Sequence, residues 1–126
     1  MNIGIIYGGR SGEHEISLIS AAAIARGISK DKNIVLIGIT KNGKWYLQDK
    51  SEFDRICKDK NAALTISEDP AKLVNIIPGA KKDSFVVAGK SLELDLVFPA
   101  LHGTYGEDGT IQGLFEMADQ IGRAHV

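Results

Sequence analysis

Two glycine-punctuated segments hold the residues best suited to chemistry: Gly8-Gly9-Arg10-Ser11-Gly12-Glu13-His14-Glu15-Ile16-Ser17 and His102-Gly103-Thr104-Tyr105-Gly106-Glu107-Asp108-Gly109. In the first, Gly8, Gly9 and Gly12 permit a tight turn and close approach of a ligand to the backbone. The dinucleotide fingerprint G-x-G-x-x-G does not fit, because Tyr7 stands where its first glycine would be, and the Walker pattern G-x-x-x-x-G-K-S/T is absent. Glu13 and Glu15 would repel a phosphate. A carboxylate at a pocket mouth suits a cation such as a substrate ammonium. The same two acids would equally serve the first turn of a helix, where they complement the macrodipole. In the second segment, His102 follows an apolar run and precedes a glycine, which suits a ligand-facing imidazole. A histidine bonded to nearby backbone, with Glu107 and Asp108 as helix-start acids, fits the same spacing.

The flanking elements determine whether these segments meet. Ile3–Tyr7 reads as a buried strand feeding a tight turn. From about Gly12 to Ile28, the residues Leu18, Ala21, Ala22, Ala25 and Ile28 recur on one helical face. Asn33–Thr40 is a second buried strand, so strand, helix and strand form a βαβ unit with parallel strands. The Asn42-Gly43 turn predicts that Trp45-Tyr46-Leu47 folds back as a hairpin. From Asp49 to Lys82 the text is polar, and one short helix is expected near Glu52–Lys58, with irregular structure elsewhere. Ser84–Leu94 reads as a second hairpin, and Asp95–Leu101 as a third buried strand with Pro99 near its end. A helix is expected from about Asp108. Ligands of open α/β sheets bind at the carboxyl ends of parallel strands. Both chemical segments follow such ends and should converge on one rim.

Composition sets the outer limits. The chain has 126 residues, with Lys+Arg 15, Asp+Glu 16 and a net charge of −1. Such a length suits a single domain with one core. No basic excess exists to displace counterions from a nucleic acid. Cys57 is the only cysteine, which excludes an intrachain disulfide and a multi-cysteine zinc site and fits a reducing cytosol. The start has no basic n-region, and no run approaches the roughly 18 apolar residues of a membrane span. With one cysteine and scattered histidines, no metal site is expected in the chain.

Longer stretches carry a resemblance. Tyr7 to Ser17 is similar to the N-terminal signature of bacterial D-alanine–D-alanine ligases. His102 to Gly113 resembles that family's first signature pattern, H-G-x-x-G-E-D-G, and Ile37 to Tyr46 matches its longer members. The likeness runs from Met1 to about Asp119. It implies a Rossmann-like, three-layer α/β domain of the pre-ATP-grasp kind, with a mainly parallel sheet and inserted β-hairpins. Glu13 matches the catalytic glutamate that pairs with the ammonium of the first D-alanine. Ile16 matches an apolar residue near its methyl group, and His102 a histidine near its carboxylate. Gly8, Gly9, Gly103 and Gly106 shape the loops. The resemblance further implies ATP and Mg2+, or Mn2+, held by an ATP-grasp part lying outside this chain. It also implies a homodimer in the bacterial cytoplasm and a role in peptidoglycan synthesis.

Residues 1–119 are therefore expected to form the N-terminal domain of such a ligase, inactive without the ATP-grasp part. Residues 120–126 resemble sequencing-adaptor read-through and are expected to be non-native. Ligases that couple D-alanine to D-lactate or D-serine are the nearest alternative. A stand-alone flavodoxin-like binding module is another, but a receiver would need aspartates where Tyr7-Gly8-Gly9 and His102-Gly103 stand.

Overall fold

The computed structural model describes residues 1–9, 14–28, 31–77 and 79–100. Among these residues, four strands form the main sheet in the order β3-β2-β1-β7: β1 (Asn2–Gly8), β2 (Asn33–Ile39), β3 (Trp45–Leu47) and β7 (Leu96–Ala100). β1 runs parallel to both neighbours, in register Ile5↔Leu36 on one side and Ile5↔Phe98 on the other. β3 returns antiparallel through the Asn42-Gly43 turn, where Gly43 takes a φ of 86° and donates its N–H to the Thr40 carbonyl. Helix α1 (His14–Gly27) makes the crossover from β1 to β2. The expected βαβ unit and first hairpin are thus present.

Side-chain alternation divides the core between the two faces of this sheet. Ile3, Ile5, Tyr7, Ile34 and Leu36 face α1 and α2 (Lys50–Lys58). On α1, Ala21, Ala22 and Ala25 are fully buried, and their small side chains let the helix lie close to the strands. Ile6, Ile37, Ile39 and Val97 cover the opposite face. Each of these large residues stabilises the fold by about 1.5–3 kcal/mol through burial.

That second face is closed by a three-stranded antiparallel sheet in the order β4-β5-β6, comprising β4 (Val74–Ile76), β5 (Phe85–Val87) and β6 (Lys90–Ser91). Among the described residues the three layers are therefore helices, main sheet and small sheet. Here the sequence-based expectation needs correction. The polar stretch before Lys82 is not irregular apart from one helix. It holds β4 and two short 3-10 turns, Pro70–Lys72 and Lys81–Asp83. The second hairpin is also shorter than Ser84–Leu94. Leu92 still donates to the Phe85 carbonyl, but Glu93 adopts a φ of 51°, which ends the extended run and directs Leu94 into the core.

Candidate functional site

The carboxyl rim, where the sequence places the candidate site, lies where β1 and β7 end. These strands are neighbours, and Tyr7 pairs with Ala100 at the last position of their ladder. Adjacent strands are about 4.8 Å apart, so the segments leaving Gly9 and Ala100 start side by side at the carboxyl rim. Gly8 and Gly9 have φ values of 92° and 107°, in the left-handed region that a side chain would strain. The Gly9 amide is anchored sideways, donating to the Ile39 carbonyl at the end of β2 at 2.9 Å.

Ser17 joins the pieces. Its side chain is fully buried. Its hydroxyl oxygen accepts the Gly8 N–H at 2.9 Å, and its O–H donates to the Ala100 carbonyl. One side chain of α1 thereby holds the ends of both strands. Sequence reasoning gave Ser17 no role, although a signal was available. Ser17 stands four and eight residues before Ala21 and Ala25, on the buried stripe, where a hydroxyl must find partners.

Tyr7 supports the same corner from below. Its phenol donates to the Thr65 carbonyl at 2.7 Å. Burial, then the nearby Glu52 carboxylate, pushes the phenol above its ordinary range, so it stays a neutral donor. Beside it, the Leu64 N–H donates to the Leu18 carbonyl, strapping the chain after α2 onto α1. An open cavity of about 340 Å³ borders this strap and the end of β2, lined by Leu18, Thr40, Lys41, Thr65, Ile66 and Glu68. A second cavity, of about 230 Å³, lies against Ile34–Leu36 and Phe53, on the amino-terminal half of β2 and away from the rim.

Of the predicted site residues, Ile16 lies in the first turn of α1 and is 51% exposed, open to a ligand or to another part of the protein. Glu15 is exposed and paired with Lys41 at 3.6 Å. Glu13, His102, Gly103 and Gly106 lie outside the described residues, as do the expected helix from Asp108 and residues 120–126. No group of three His, Cys, Asp or Glu suited to a metal ion occurs among the described residues. None of their helices is long and apolar enough to cross a membrane.

An α/β domain with a parallel three-strand centre among its described residues and a glycine turn at its carboxyl rim is of the Rossmann-like class. A family model described as "D-ala D-ala ligase N-terminus" matches residues 2–121, and the chain belongs to that family. The D-alanine–D-alanine ligase of Treponema denticola is 56% identical over 120 residues, which cover 94% of this chain and 33% of that protein. The Treponema pallidum ligase is 44% identical over 118 residues, 93% of this chain and 30% of that protein. Among solved structures, the D-alanine–D-alanine ligase from Coxiella burnetii matches with a TM-score of 0.69 at 34% identity, over 94% of this chain and 33% of that one. The VanG D-Ala:D-Ser ligase from Enterococcus faecalis matches with a TM-score of 0.65 at 35% identity, over 94% and 34%. The chain spans about a third of the length of the curated relatives it matches.

Proposed function

We propose that residues 1–119 form the N-terminal domain of an ATP-dependent D-alanine–D-alanine ligase and contribute one wall of its first D-alanine site. The observation carrying this reading is the adjacency of the β1 and β7 ends, paired at Tyr7↔Ala100. From these ends start the segments bearing Glu13 and His102. On this reading the Glu13 carboxylate attracts the substrate ammonium, His102 donates to the substrate carboxylate, and Ile16 lies near the methyl group. Holding both ends of the zwitterion aims a carboxylate oxygen at the γ-phosphorus of ATP, a gain from orientation. ADP leaves, the amine of a second D-alanine attacks the acyl phosphate, and phosphate departs as the dipeptide forms. On the same resemblance, nucleotide and metal ion are held by the ATP-grasp part that lies outside this chain. Homodimerisation and a bacterial cytoplasmic location belong to the same reading.

A second reading, a ligase whose second substrate is D-serine, is favoured by the similarity to VanG. It leaves the roles at the first site unchanged.

The test joins residues 1–119 to the remaining two thirds of the T. denticola ligase and measures phosphate release from ATP with D-alanine and D-serine. Glu13→Ala and His102→Ala should each raise the KM for the first D-alanine by about 10–100-fold, the worth of a hydrogen bond to a charged group. The KM for ATP should stay within about twofold. Equal losses for both substrates would refute the assigned roles, and faster dipeptide formation with D-serine would favour the second reading.

A further inference from the structure

We propose that Ser17 is a positioning residue of the substrate site, its buried hydroxyl acting as the last rung between β1 and β7 and fixing how far apart the two site-bearing segments begin. Three observations carry the proposal. First, the hydroxyl is bonded to two strands at once, accepting from Gly8 and donating to Ala100. Second, its partners sit at the point of divergence, because the ladder's last pair is Tyr7↔Ala100 and Gly8 has already turned to a φ of 92°. Third, Ser17 lies in the same helix as Ile16 and four residues beyond Glu13, so the tie also sets the height of the α1 start against the sheet.

An alanine at this position would fill most of the volume but leave a buried N–H and a buried C=O without partners. Such groups seek water or each other. Either response changes the spacing of the two segments while both strands and the core persist. A misplacement of about 1 Å in a site that grips two ends of one small molecule is worth up to about a hundredfold in kcat/KM for that molecule. Ser17 therefore acts through Glu13 and His102 and need not touch substrate.

Its kinetic consequence rests on the ligase reading, whereas the tie itself does not, and the experiment separates them. In the fusion described above, Ser17→Ala should raise the KM for the first D-alanine by about tenfold or more, leave the KM for ATP within about twofold, and be largely rescued by Ser17→Thr, which restores a hydroxyl. In the 126-residue chain, amide hydrogen exchange at Gly8 should quicken at least tenfold in Ser17→Ala relative to exchange at Ile5 and Ile37, with recovery in Ser17→Thr.

Equal effects on both substrates, or a threonine variant no better than alanine, would overturn the positioning role. Unchanged Gly8 exchange would overturn the tie. If the unsubstituted fusion releases no D-alanine-dependent phosphate, the ligase reading fails and the exchange result alone decides on Ser17. Should Ser17→Ala aggregate, Ser17→Cys, close in volume and weaker in hydrogen bonding, carries the same comparisons.

Discussion

Glu52 shows how one side chain can bind distant segments. Its carboxylate pairs with Arg55 at 2.9 Å and accepts both the Thr65 N–H and the Thr65 hydroxyl. Burial raises its pKa, but the Arg55 and Thr65 hydrogen bonds outweigh that effect and hold it below the ordinary value of 4.5. The folded state therefore keeps this group ionised at acidities where the unfolded chain has already taken up a proton. Its stabilising contribution is present above pH 4.5 and is lost as the pH falls through the depressed folded value. Glu52→Gln should thus unfold with a flatter acid limb than the parent, measured as thermal midpoints from neutral pH downwards. Glu52 also shows why such residues escape a sequence reading. Its partner Thr65 is thirteen positions away, so no local spacing reveals it. Ser17 was more accessible, because a hydroxyl on an otherwise apolar helical stripe signals a buried obligation. Its partners, Gly8 and Ala100, still required the fold.

At the level of elements, the parallel strands β1, β2 and β7 were legible because strands buried on both faces are nearly continuous apolar runs. β4 was not, because Val74-Asn75-Ile76 is too short to show a period and pairs with β5 across a polar stretch. The glycines within these elements make separable predictions. A Cβ on Gly38 would lie 2.7 Å from Cγ1 and 3.0 Å from Cγ2 of Ile66. Isoleucine is stiff at this branch, so Gly38→Ala should cost about 1–3 kcal/mol by overpacking. Gly27, at the end of α1, has nothing within 4 Å of an added Cβ. Gly27→Ala should stabilise by about 0.4–1 kcal/mol by restricting the unfolded chain. Urea unfolding of the two variants should move the midpoint in opposite directions.

At the scale of the whole fold, the described residues place two apolar clusters on one sheet, with Ile5 on the helix side and Phe85 on the small-sheet side. Trp45 is the only tryptophan and stacks on Phe85 with ring centroids 6.4 Å apart, so its fluorescence reports the small-sheet side. Because neither layer can leave without stripping the strands both depend on, fluorescence and far-ultraviolet circular dichroism should give coincident unfolding curves. Ile5→Ala should lower the stability seen by both probes by about 2–5 kcal/mol, although Ile5 touches the opposite side of the sheet from the tryptophan. Two separate midpoints would show that the layers unfold independently. The amino terminus is fastened at the other end of the strands. The Met1 carbonyl accepts from Asn33, and the Asn2 amide donates to Asp95, itself ion-paired with Lys82. β1 then runs seven residues to Gly8, a span of about 23 Å at 3.3 Å per residue. A surface tether or fluorescent label attached ahead of Met1 would consequently hang from the pole opposite the glycine turn, so immobilised protein would present that turn outward to small molecules in flow.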